Sequence, residues 1–305
     1  MLRVNHDFEA CVKASERVSW RVDEVLPPGT KLDFDKNFLP GMFAGGKDLA
    51  FLDEGEKRKL NQICGHAYLN LFAFVEEYIQ AVMVNHAHAE LFGDHTALRA
   101  LTRFADEEVK HQELFHRYME AFAQDFTSPC GVIGSAGQVA AVILSKSPIA
   151  VMMVTLHIEI MTQGHYIEAI KDDQSLDPLF TRLLHHHWLE ESQHAKIDLI
   201  ELDKLLVGAG EDKITKAFED YLALIEAFDG LLLQQAKLDV DSLSRATGRE
   251  FSPEEATAIE HTQHAAYRRT FLVYGMTHRQ FVEVLQQISP GGAADVASRS
   301  RALAA

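Results

Sequence analysis

His187-Trp188-Leu189-Glu190-Glu191-Ser192-Gln193-His194 is the stretch on which the reading of this chain turns. On an α-helix, side chains spaced four and then three residues apart leave one face, so His187, Glu191 and His194 share a face that Glu190 does not. A Glu-x-x-His pair of this kind is the helical mark of a carboxylate-bridged two-metal site. One copy arises readily by chance, because polar neighbours three apart are common on solvated helices. The chain carries a second, upstream, at Glu108-Val109-Lys110-His111.

Working outward, both copies fall on apolar stripes at helical period. The first reads Leu101, Phe104, Glu108, His111, Phe115, Met119 and Phe122, the second Phe180, Leu184, His187, Glu191, His194, Asp198, Leu202 and Leu205. Each is preceded by another helix with an acidic residue on its own stripe. Glu76 lies among Leu69, Phe72, Ile79 and Met83, with Glu77 as the alternative on the adjoining face, and Glu159 lies among Met152, Leu156, Gln163, Tyr166 and Ile170. Start and stop signals bound these four helices: Asp53 with Glu56 and then Gly93, Thr96 to Phe126, Ser147-Pro148, and Asp177-Pro178 with Gly208.

The fold class predicted is all-α, a four-helix bundle with additions at both ends. Residues 1–305 read as a single domain. Residues 1–52 form a wrapping arm, with a helix over about Phe8 to Arg21 and then Pro27-Pro28-Gly29, Pro40-Gly41 and Gly45-Gly46 breaking any longer one. Residues 53–208 are the metal-binding core, and 209–290 hold extra helices over about Lys213 to Val240 and, from the Ser252-Pro253-Glu254-Glu255 capping box, to Ile288. The tail 291–305, after Pro290-Gly291-Gly292, is expected to fray.

Composition narrows the class of function. Apolar residues are 47 % and charged residues 24 %, as in folded globular proteins, and the net charge of −16 opposes binding to nucleic acid or an anionic membrane. Cys11, Cys64 and Cys130 are few, scattered and odd in number, which argues against a disulfide framework or a thiolate metal site and suits a reducing cytoplasm. No apolar segment is long enough for a membrane span, and the N-terminus has no secretory signal pattern.

Four acids on apolar stripes (Glu76, Glu108, Glu159 and Glu191) would repel one another in a common core unless cations balanced them. With His111 and His194, oxygen-rich mixed ligation suits two iron ions, with manganese as the alternative, better than zinc. His187 is the candidate seventh ligand, one turn before Glu191. Asp198, one turn after His194, is read either as an acceptor for that imidazole or as a cap or ion-pair partner. Glu190, off the inward face, is expected to be dispensable for metal. His86, His88, His95, His116, His157, His165, His261 and His264 lack matching partners and read as structural or surface residues.

The pattern Glu76, Glu108-x-x-His111, Glu159, His187-x-x-x-Glu191-x-x-His194 resembles the p-aminobenzoate N-oxygenase family of ferritin-like di-iron enzymes, most specifically through His187. The resemblance spans roughly residues 20 to 205, including the Trp20 to Pro40 arm. It implies a ferritin-like bundle, a non-haem di-iron centre held by those seven residues, O₂ and a small organic substrate, and oxygen insertion, typically at an arylamine nitrogen. Hydroxylation or desaturation at carbon is the alternative within the enzyme class, and iron binding or oxidation without an organic substrate the alternative outside it. No dinucleotide-binding glycine motif is present, so electrons are expected from an external donor, and the surplus of amphipathic helices admits a homodimer.

Overall fold

A computed structural model describes residues 2–126 and 128–305. Among them the only strand-like feature is an isolated bridge between Asn37 and Leu176, and no helix is long and apolar enough to cross a membrane. The arm contains α1 (Phe8–Arg17), α2 (Val22–Val25) and α3 (Gly41–Ala44). The bundle is built from α4 (Glu54–Ala89), α5 (His95–Asp125), α7 (Pro148–His165) and α8 (Pro178–Leu206), with α6 (Ala136–Leu144) in the crossover from α5 to α7. Then come α9 (Glu211–Thr247), α10 (Pro253–Tyr267), α11 (Tyr274–Thr277), α12 (Arg279–Ile288) and α13 (Pro290–Ala304).

The boundaries follow local chemistry. Asp53 and Glu56 close a reciprocal capping box on α4, as Ser252 and Glu255 do on α10, and the Asp177 carboxylate caps α8 ahead of Pro178. Two short π-helical turns, Tyr166–Ile170 (π1) after α7 and Arg268–Val273 (π2) after α10, break what periodicity alone reads as continuous helices. The tail does not fray. Ser289 caps α13, Pro290 opens it, and Val296, Ser300 and Leu303 are buried at helical spacing.

The arm is held by polar pins as well as by apolar anchors. The Asn61 side chain accepts from Phe38 N (2.8 Å) and Leu39 N (3.1 Å) and donates to Leu39 O (2.7 Å). Phe38 then stacks on Phe180 of α8, and α1 packs against α5 and α8. One apolar core runs from the arm through the bundle to α13, and a smaller cluster joins Leu49 and Leu52 to Leu243 and Ile259.

Two histidines of α7 fasten π2. His157 Nε2 donates to Phe271 O (3.1 Å) while Nδ1 accepts from the Tyr221 hydroxyl (2.8 Å). His165 likewise joins Thr270 O (3.1 Å) to the Tyr68 hydroxyl (2.9 Å). The approach is close enough to require glycine at Gly275, where a Cβ would stand 2.1 Å from the His157 ring. Burial pushes the His165 pKa down to about 3, so the folded protein excludes a proton that the unfolded chain binds below pH 6.5. Stability is therefore expected to fall with acidification, by about 2 kcal/mol from this group between pH 8 and pH 5. Denaturant titrations of wild type and His165→Gln at the two pH values check this: the variant should lose that much less.

Candidate metal centre

Glu76 from α4, Glu108 and His111 from α5, Glu159 from α7, and His187, Glu191 and His194 from α8 are all buried and converge at the centre of the bundle. Glu77 is exposed. Glu191 is central: one oxygen lies 2.9 Å from His187 Nε2 and 3.5 Å from His111 Nδ1, the other 3.6 Å from His194 Nδ1. Glu108 spans two of these three imidazoles, 3.5 Å from His111 Nδ1 and 3.1 Å from His194 Nδ1. His187 Nε2 also meets Glu76 Oε1 at 3.0 Å, and Glu159 Oε2 lies 3.9 Å from His194 Nδ1. Donor atoms of Glu76, His111 and His187 form one compact set, and those of Glu108, Glu159, Glu191 and His194 another.

Whether these residues suit a pair of cations is tested by their hydrogen bonding. Both Glu108 oxygens, Glu159 Oε2, Glu191 Oε1, His111 Nδ1 and His194 Nδ1 are buried and have no hydrogen-bond partner. Buried polar atoms are normally satisfied, and these unsatisfied ones belong to residues of the two compact sets. The set is hard carboxylate oxygen with imidazole nitrogen, the chemistry of iron and manganese sites. The residues fit the group.

The outer nitrogens of two imidazoles are held from behind. His111 Nε2 donates to Glu190 Oε2 (3.0 Å), and His194 Nε2 donates to Glu107 Oε2 (2.9 Å). These bonds select the tautomer whose Nδ1 lone pair points inward. The arrangement is reciprocal, since Glu107 of α5 supports a histidine of α8 and Glu190 of α8 supports one of α5. Each support is itself anchored: Glu190 by Lys110, whose ammonium also lies 4.1 Å over the Trp20 ring, and Glu107 by Gln193 (3.1 Å) and Ser15 of the arm.

Sequence reasoning missed these two residues. Periodicity placed Glu190 off the inward face and treated it as dispensable, but the structure buries it completely behind His111. The signal was present as the paired Glu-Glu at 107–108 and 190–191, one residue ahead of each motif glutamate. Asp198 is buried with both oxygens unpartnered and does not hold His194, whose Nε2 goes to Glu107. Replacing Glu190 or Glu107 with alanine is expected to weaken metal binding about 10–100-fold without abolishing it. Competition with a chelator of known affinity measures this, and unchanged affinity would remove the supporting role.

Charge accumulates strongly in the metal-free cluster. Burial, reinforced by the Glu108 carboxylate and opposed by His187, pushes Glu76 up to about 8. Burial together with the Glu191 charge holds the Glu159 carboxyl well above the usual range. Burial would raise Glu191 too, but His187 and His194 outweigh it and hold that carboxyl well below the usual range. Burial disfavours charged imidazoles, yet the surrounding carboxylates lift His187 to about 9 and His111 and His194 well above their ordinary value. Without cations the cluster therefore keeps protons, which bound metal would displace.

Rings seal the cluster. Phe104 stacks on His194 at 3.7 Å, Trp20 stacks on His111 at 6.1 Å, and Phe72 and Phe115 stand edge-on to His187 at 5.5 and 5.1 Å. Fold and cluster together define the class, a helical-bundle protein whose core gathers carboxylates from all four helices and imidazoles from two of them. The chain belongs to the p-aminobenzoate N-oxygenase family, whose model matches residues 16–271, and it is an oxygen-using oxidoreductase. The match runs through α9 and α10 into π2, well beyond the 20–205 span legible from the motifs. No curated protein matches the chain.

Solved structures similar to the chain include an R2-like ligand-binding oxidase with aerobically reconstituted Mn/Fe cofactor, at 14 % identity over 89 % of this chain and 92 % of that one, with a TM-score of 0.45. A variant of that oxidase with aerobically reconstituted Fe/Fe cofactor is similar at 14 % identity over 87 % and 93 %, with a TM-score of 0.46.

Proposed function

We propose that this protein is a non-haem di-iron oxygenase that inserts oxygen at the nitrogen of an arylamine or similar small amine, with electrons from an external donor. The observation that carries the metal-binding part is the convergence of unpartnered buried donor atoms from four helices. The ligand set proposed is Glu76, Glu108, His111, Glu159, His187, Glu191 and His194. Glu108, within reach of two imidazoles, and Glu191, within reach of three, are the shared carboxylates. Family membership supports reaction at an amine nitrogen. Residues 1–305 are proposed to act as one domain, which the continuous core from arm to α13 supports.

Two bound iron ions, or manganese with iron, would supply O₂ activation. The protein supplies the rest. Glu107 and Glu190 fix the tautomer and tilt of two imidazoles, and Gln112 donates to Glu76 Oε2 (3.4 Å) and steadies the carboxylate contributed by α4. Trp20, Phe72, Phe104 and Phe115 exclude bulk water, which strengthens every charge interaction inside.

Metal analysis of the purified protein, then reduction and exposure to O₂ with and without arylamines, tests the reading. About two metal ions per chain and an N-oxygenated product found by mass spectrometry are expected. Metal binding and O₂ consumption with oxidation only at carbon would favour hydroxylation or desaturation instead. O₂ consumption with no organic product under any amine would favour iron oxidation.

A further inference from the structure

An apolar cleft lies beside the cluster between α4, α7, α9 and π2, closed on one side by residues at and before α6. Its walls include Leu71, Val75, Ile158, Phe228 and Leu231. Every lining side chain is hydrocarbon or thioether, with no charged or hydrogen-bonding group among the described residues. Phe72 joins the cleft to the candidate metal centre, for it lines the one and stands 5.5 Å from the His187 ring of the other. Phe72 also sits one helical turn before Glu76, and Ile158 immediately precedes Glu159.

The outer part of the route is neutral as well. A shallower opening between α6 and α9 shares Val139, Phe228 and Leu231 with the cleft, and its only polar side chains are the uncharged Ser135, Gln138 and Gln234. An anion entering here would find no cation to replace its water, and an unpaired buried carboxylate is strongly disfavoured. The net charge of −16 adds long-range repulsion.

We propose that the substrate of this enzyme buries an uncharged hydrocarbon body in the cleft behind Phe72, and that a carboxylated arylamine such as p-aminobenzoate is rejected. The inference rests on the oxygenase reading for the fate of the reacting group, but the choice between neutral and anionic bodies depends on the cleft alone. It separates this chain from the acid in its family's name: an amine aimed at the cluster would leave a para carboxylate in hydrocarbon.

The test is calorimetric binding to the metal-loaded protein, using aniline, 4-ethylaniline, 4-butylaniline, butylbenzene and p-aminobenzoate. Affinity is expected to rise about fourfold per added methylene. p-Aminobenzoate should bind at least 100-fold more weakly than 4-butylaniline, and butylbenzene should bind within tenfold of 4-butylaniline. Leu231→Arg, at the half-buried junction of cleft and mouth, should weaken 4-butylaniline and strengthen p-aminobenzoate. Binding of p-aminobenzoate as tight as that of 4-butylaniline, or affinity independent of chain length, would overturn the proposal. The ligand series on the unaltered protein decides the matter if the variant does not fold. Tight binding of the alkyl series without any N-oxygenated product would defeat the N-oxygenation reading while supporting this one.

Discussion

Glu191→Ala is expected to abolish the dinuclear centre. Under the proposed ligand set, Glu191 is a carboxylate within 3.6 Å of three imidazoles, so its loss removes an oxygen donor from both metal positions at once. If the 10–16 kcal/mol typical of a four-ligand protein site is shared among its ligands, each donor is worth on the order of 100-fold or more in affinity. Metal content should fall well below that of wild type after dialysis against a weak chelator. Glu190→Ala, which spares every proposed ligand but frees the His111 ring, should retain part of the metal. Equal losses in the two variants would mean that the inward and outward roles assigned to these neighbours are wrong. The metal-free variant is expected to be less stable too, because His187 and His194 lose the anion that faces them in the core.

Glu159→Gln should have opposite effects on the empty and the loaded protein. In the metal-free state the Glu159 carboxyl, disfavoured as an anion by burial and by Glu191, is held well above its ordinary pKa. A carboxyl raised in this way binds a proton on folding, so stability falls as pH rises from the unfolded pKa towards the folded one. An uncharged isostere removes that penalty, and metal-free Glu159→Gln should be more stable than wild type at neutral pH. The difference should vanish near pH 4, where both side chains are uncharged in either state. With metal present the order should reverse, because the variant has lost an anionic donor. Denaturation of both proteins with and without metal measures all four quantities. A variant that is no more stable than wild type when metal-free would show that Glu159 is not under electrostatic strain. Such a trade of stability for a binding site is the usual cost of clustering like charges in a core.

Much of the arrangement was legible in the chain because it rests on local rules. Helix starts at Asp53, Ser147, Asp177 and Ser252 are written in capping chemistry, and the choice of Glu76 over Glu77 as the inward-facing acid follows from the 3.6-residue period. Four acids and three histidines on apolar stripes were enough to expect one shared cluster, since isolated charges do not persist in a core.

The paired glutamates were not legible, because periodicity describes one helix at a time. Glu190 points away from the axis that carries Glu191, and only the packing of α5 against α8 turns that direction towards His111. The same limit hid the role of His157 and His165, whose partners on π2 lie more than a hundred residues away in the chain. It also hid the helical tail, whose apolar positions become a buried face only when α9 and α12 lie beside it. The cleft was equally invisible. Its walls come from α4, α7, α9 and π2, and a surface shared among distant segments has no period in any one of them. By itself, then, the sequence determined the four bundle helices, their inward faces and the chemistry of the cluster, because each depends on spacing along one helix. Only the tertiary structure decided which carboxylate supports which imidazole and which side chains line the cleft, because those depend on contacts between helices that no single-helix period encodes.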